Sequence, residues 1–205
     1  VHSELLRRPG KLYVLASHFH PDHFNKEVLQ WSEQRPDIIF IFSKDILRHR
    51  RAQKEDAIWL KKGEEYKDET LRVRAFGSTD VGVSFLLQAG GKKIFHAGDL
   101  NNWHWMDESI EAEWKGAEKN FLHELDDLYA YTPEVDVALF PVDPRLGKEY
   151  MRGAGQFVTK IKTHIFVPMH FTPEYAKANA FRDIAEAHGV RFVSLTHRGQ
   201  KIEIE

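Results

Sequence analysis

The chain has 205 residues, 42% of them hydrophobic and 12% aromatic, enough to bury the core of a single domain covering residues 1–205. Its formal net charge is −2, and the one dense basic run, Arg48-His49-Arg50-Arg51, adjoins acidic Glu55 and Asp56, which argues for a solvated face and against a nucleic-acid partner. Cysteine is absent, which excludes disulfides and thiolate metal sites and fits a reducing, cytoplasmic compartment, and no apolar run approaches the roughly 20 residues of a membrane span.

Strand and helix signals alternate along the chain. It opens at Val1 without an apolar leader, which leaves a removed signal peptide or an absent N-terminal segment open. Residues 12–16 read as a buried strand. Asn25 is placed to cap a helix running to about Gln34. Residues 37–42 form a second apolar strand, and Ser43 caps a short helix with Ile46 and Leu47. Residues 57–60 are a short strand. Residues 70–76 alternate, with Leu71, Val73 and Ala75 on one face. Residues 83–88 and 92–96 flank Ala89-Gly90-Gly91 as a β-hairpin. A long helical region spans about 105–131, with Gly116 or Asn120 as a break. Strands are expected at 135–142 and 164–169, a helix at 176–188 stopped by Gly189, and final strands at 191–195 and 201–204. This order suggests sheets covered by helices.

The chemistry concentrates in SHFHPDHF, residues 17–24, directly after the first strand. Imidazole and carboxylate groups suit zinc, and also manganese or iron. His18 and His20 are two residues apart, so an extended backbone aims both to one side. Pro21 then turns the chain, and Asp22 and His23 follow. Such a loop can offer two ligands to one metal and two to another.

HFHPDH resembles the HxHxDH signature of the metallo-β-lactamase superfamily. Phe95-His96-Ala97-Gly98-Asp99 is similar to the family's strand ending in a GD pair, and Val167-Pro168-Met169-His170-Phe171 to its strand-end histidine. The resemblance runs from Leu12 to about His170 and is nearest the small metal-dependent hydrolase branch. It implies an α+β fold, the four-layer αββα sandwich, with metals at one edge between two sheets. It also implies that His18 and His20 belong to a first metal site, that Asp22, His23 and His170 belong to a second, and that Asp99 lies between them.

Two departures from the family pattern stand out. Where the family supplies a third histidine to the first site, this chain reads Ala75-Phe76-Gly77-Ser78-Thr79-Asp80. Asp80 is then either an oxygen ligand or a turn residue beside Gly77 and Gly82. Only 17 residues precede His18, fewer than the family's opening strands occupy, so that part of the first sheet is expected to be missing.

Other residues carry weaker expectations. His96 is a candidate ligand or a donor to a carboxylate or carbonyl near the metals, with a packed strand histidine as the alternative. Trp103 and His104 follow the GD pair and are candidates for a substrate wall, or else for packing at a helix entry. Arg145 follows the strand at 135–142 and can bind a substrate anion or serve as a salt-bridge partner.

The resemblance thus implies a metal-dependent hydrolase. Its cofactor is expected to be zinc, as one or two ions, with manganese or iron as alternatives. A metal-bound hydroxide, with Asp22 and Asp99 as catalytic carboxylates, is expected to attack an ester, lactone or phosphoester of a small molecule. The rival readings are a metal-binding scaffold or sensor with little catalysis, and a nucleic-acid phosphodiesterase.

Overall fold

The computed structural model describes residues 2–203. After a short helix α1 (His2–Leu6), three parallel strands form a small sheet in the order β1 (Tyr13–Ala16), β2 (Ile39–Ser43), β3 (Ile58–Leu60). Between them lie α2 (Trp31–Gln34) and α3 (Lys44–Arg48). The large sheet contains β4 (Glu65–Lys67), β5 (Arg72–Phe76), β6 (Ser84–Ala89), β7 (Lys92–His96), β8 (Glu134–Pro141), β9 (Lys162–Met169) and β10 (Arg191–Phe192), in the spatial order β10-β9-β8-β7-β6-β5-β4. Strands β4 to β7 pair antiparallel, and β7 to β10 pair parallel. The parallel crossovers carry α4 (Glu111–Tyr131), α5 (Arg152–Lys160), α6 (Tyr175–Asn179) and α7 (Arg182–Ala187).

Period-two patterning decides how the layers stack. Tyr13, Leu15, Ile39 and Ile41 face the large sheet, where they meet Val73, Ala75 and Phe85. Their neighbours Val14, Ala16, Phe40 and Phe42 face outward onto Phe24, Val28 and Ile46. On the far side of the large sheet, Leu86, Phe95, Ala138, Phe140 and Phe166 pack against Phe121 and Leu125 of α4 and Phe157 of α5. The result is helix, sheet, sheet, helix, the expected αββα arrangement.

Several local expectations change. The helix after Asn25 is a 3₁₀ turn, Lys26–Gln30, running into α2. Asn25 caps it by accepting from the Glu27 N–H. The long helix starts at Glu111 and continues unbroken through Gly116 and Asn120, because packing of Phe121, Leu125 and Leu128 outweighs one glycine's weak helix propensity. Residues 176–188 form two helices, with a break where Phe181 turns into the core. The strand at 191 is only two residues long, residues 201–203 are not strand, and residue 204 lies outside the described residues. Strand β4 and helix α5 were not anticipated, since β4 is half-exposed and polar and α5 carries two glycines.

Candidate metal centre

Five loops leave strand ends on one edge of the sandwich. His18 follows β1, Asp80 follows β5, Asp99 follows β7, Asp143 follows β8 and His170 follows β9. Strands β7, β8 and β9 are mutually parallel, so their C-terminal loops open on the same side, the usual place for a site in such a sheet.

Local interactions shape the histidine loop. The backbone N–H groups of His23 and Phe24 both donate to the His20 carbonyl, closing the turn begun at Pro21. The Phe19 N–H donates to Asp45 of α3 at 3.0 Å. Gly82, at φ 75°, passes against the loop so closely that a Cβ would sit 2.1 Å from the Ser17 carbonyl oxygen and 2.5 Å from His18 Cβ. Only glycine fits there.

The two metal sets that the resemblance implies come together. His18, His20, Asp80 and Asp99 each offer a ligand atom, all within 4.8 Å of one another, and so do Asp22, His23 and His170. Asp99 stands between them. Its Oδ2 lies 3.3 Å from His18 Nε2, while its Oδ1 lies 3.1 Å from His23 Nε2 and 3.4 Å from His170 Nε2. Asp80 points its carboxylate to within 3.7 Å of His20 Nδ1, a placement that suits an oxygen ligand, while its N–H lies 3.4 Å from Ser78 Oγ as in a turn.

Two fully buried atoms of this cluster, His18 Nε2 and Asp99 Oδ1, have no hydrogen-bond partner among the described residues. A buried polar atom left unpaired costs about 1–3 kcal/mol. Cations at the two sets would satisfy both atoms, and the donor set, four imidazoles and three carboxylates, is that of a metal site. The residues therefore fit the metals implied. Burial lowers the His23 pKa, so its imidazole stays neutral with a lone pair to give. Burial works against the charged form of Asp99, but His18, His170 and His23 outweigh it and hold the carboxyl below its ordinary pKa.

Asp143 was singled out by no sequence feature beyond its position after an apolar strand. It is 1% exposed, and its Oδ2 lies 2.9 Å from His170 Nδ1. That contact turns Nε2 towards Asp99. The same carboxylate accepts from Arg145 Nε at 3.0 Å and Nη2 at 2.6 Å. Burial opposes its ionisation, but His170 and Arg145 hold its pKa at about 2.

The weaker candidates separate. A cavity of about 330 Å³ lies over the metal cluster, lined by Asp22, Asp80, Asp99, His170, Trp103, Trp105 and Arg145, among others. Trp103 lies in its wall, with its indole N–H donating to the Asp99 carbonyl at 2.8 Å. His104 does not line the cavity. It is 1% exposed, its Nε2 is 3.1 Å from the Glu149 carbonyl, and its Nδ1 accepts from the Met106 N–H. With both ring nitrogens engaged by backbone, His104 packs the loop instead of forming a substrate wall. His96 belongs to neither metal set, and its Nδ1 accepts from the Gly98 N–H. Burial, with a contribution from His23, lowers its pKa to about 4.

No family model matches the chain, and no curated protein does. Solved structures do. A Parabacteroides distasonis protein assigned as a metal-dependent hydrolase superposes with a TM-score of 0.62 at 17% identity, over 92% of this chain and 78% of that one. The CmlA β-hydroxylase E377D mutant gives a TM-score of 0.60 at 14% identity, over 90% of this chain and 43% of that one. YhfI of Bacillus subtilis, a metallo-β-lactamase fold protein, gives 0.57 at 12% identity, over 88% of this chain and 73% of that one. The chain has the metallo-β-lactamase fold. No helix of the described residues is long and apolar enough to cross a membrane.

Proposed function

We propose that the protein is a metal-dependent hydrolase acting on an ester, lactone or phosphoester of a small molecule. The observation that carries this reading is the pair of orphaned buried atoms, His18 Nε2 and Asp99 Oδ1, inside a seven-residue ligand cluster that opens into a cavity. Bound metal ions, zinc first among them, would acidify water and polarise the bond under attack. The chain's own residues do the rest. Asp99 presents one carboxylate oxygen to each set and so fixes their spacing. Asp143 orients His170. Asp22, largely exposed where it lines the cavity, can take the proton that water loses and return it to the leaving oxygen. Water adds to the carbonyl carbon or phosphorus, the bond to the leaving oxygen breaks, and that oxygen leaves protonated. The cavity volume suits a small substrate, and the acidic residues Asp22 and Asp80 in its wall disfavour a nucleic acid.

The test is turnover of a generic aryl ester, lactone and phosphodiester. Chelation should abolish activity, zinc or manganese should restore it, and Asp99→Ala should lose it under all conditions. Activity that survives thorough chelation would overturn this reading.

Asp80 favours a second reading. A carboxylate where imidazole is expected makes the first set oxygen-rich, which suits iron or manganese better than zinc, and a hydroxylase shares the fold. On this reading the protein oxidises its substrate with dioxygen and an external electron donor. Oxygen uptake by iron-loaded protein supplied with a chemical reductant and candidate substrates would support it, and uptake no faster than with the Asp99→Ala variant would dismiss it.

A further inference from the structure

The lining of the cavity includes one arginine and two indoles. Arg145 is 65% exposed in its side chain and lines the cavity. Its Nε and Nη2 are held by buried Asp143, which fixes the plane of the guanidinium. Its Nη1 makes no hydrogen bond among the described residues, so a salt-bridge role accounts for only part of the group. A planar fork with one edge anchored and the other open is suited to grip a carboxylate or phosphate.

Trp103 and Trp105 complete the wall. Their rings stack with centroids 6.4 Å apart and within 17° of parallel, and both line the cavity that Arg145 also lines. The Trp103 indole is locked by its bond to the Asp99 carbonyl. Trp105 holds a left-handed backbone, φ 44°, a conformation unfavourable for a non-glycine residue. Strain of this kind persists where the surrounding structure imposes it, and such positions cluster at ligand sites. Here it sets an indole in the cavity wall.

We propose that this wall selects the substrate: a small anion whose carboxylate or phosphate sits on Arg145 and whose flat unsaturated ring lies against Trp103 and Trp105. The assignment rests on the hydrolase reading for its chemistry, but the recognition itself requires no turnover. It can therefore be tested by binding alone.

The experiment is isothermal titration calorimetry at fixed ionic strength with benzoate, phenyl phosphate, cyclohexanecarboxylate and benzyl alcohol. The wild-type protein should bind benzoate or phenyl phosphate at least about ten-fold tighter than benzyl alcohol, a difference of about 1.4 kcal/mol. Arg145→Gln should erase that preference, and Arg145→Lys, which keeps the charge, should retain part of it. Trp105→Ala should reduce the preference for benzoate over cyclohexanecarboxylate. Circular dichroism melts identify any variant that has not folded, and Arg145→Lys against wild type then carries the comparison. Equal binding of benzoate and benzyl alcohol overturns the proposal, as does an anion preference unchanged in Arg145→Gln. Selective anion binding in a protein without metal-dependent turnover would leave this wall standing while the hydrolase reading falls.

Discussion

The Asp143 carboxylate takes the Nδ1 side of His170 at 2.9 Å and leaves Nε2, 3.4 Å from Asp99 Oδ1, for a metal. His170 also holds a left-handed backbone, φ 61°, so its placement depends on the surroundings and not on its own preference. Asp143→Asn should weaken metal binding by about 10–100-fold at the second set alone, measured by competition with a chromophoric chelator, and Asp143→Glu should recover part of the loss. Asp80 tests the other set. Titration with manganese should show two unequal steps, and Asp80→Ala should weaken only the one assigned to His18 and His20. An unchanged titration would mean that Asp80 is a turn residue. In the sequence both aspartates are ordinary loop residues that follow a strand. What distinguishes them is the neighbour each meets across the fold.

At the scale of elements, the loop after Asp99 is pinned between α4 and α5. Glu118 of α4 accepts from Asn102 and Gln156 at 2.9 Å each and pairs with Arg152 of α5. The Arg152 hydrogen bond is the main cause that lowers the Glu118 pKa to about 2 from its ordinary 4.5, with burial opposing it. A depressed carboxylate pKa stabilises the fold above its ordinary value, and that contribution is lost as pH falls through the folded value. Glu118→Gln should therefore cost about 2 kcal/mol near neutrality, read from urea unfolding. The gap to wild type should close between about pH 4.5 and pH 2. A gap that stays constant over that range would show that the pair contributes through packing and not charge. Helix α4 was legible from its length, although the sequence placed its start too early and a break inside it. Helix α5 was not, because Gly153 is there for a close approach to Asn101, which only the folded loop reveals.

For the whole molecule, the metal cluster is also a clasp. His18, His20, Asp22 and His23 hang from the small sheet, while Asp80, Asp99 and His170 hang from the large one. Ions bound at the seam would hold the two sheets together and would bind only the folded chain. At a metal concentration of about 100 times Kd this stabilises the fold by about 2.7 kcal/mol, or roughly 5–10 °C in Tm. Differential scanning calorimetry should show that shift lost on chelation and absent in Asp99→Ala. A chelated protein that melts at the same temperature as the metal-loaded one would exclude the clasp.

What the sequence by itself determined was local and periodic. Continuous apolar runs at Tyr13–Ala16 and Ile39–Ser43 specified strands buried on both faces, and the run from His18 to His23 announced metal chemistry through residue type and spacing alone. The GD pair and the strand-end His170 could be matched by resemblance because each directly follows an apolar strand. Tertiary structure decided the rest. Only the packing of the sheets brings Asp80 beside His20, Asp143 beside His170, and Arg145 into the same cavity lining as Asp80. It also removes His104 from the wall, since its ring finds the Glu149 carbonyl 45 residues away. The reason is physical. A side chain's type is written in the sequence, but its partner is set by which strand ends the sheets bring to a common edge, and that depends on burial summed over the whole chain.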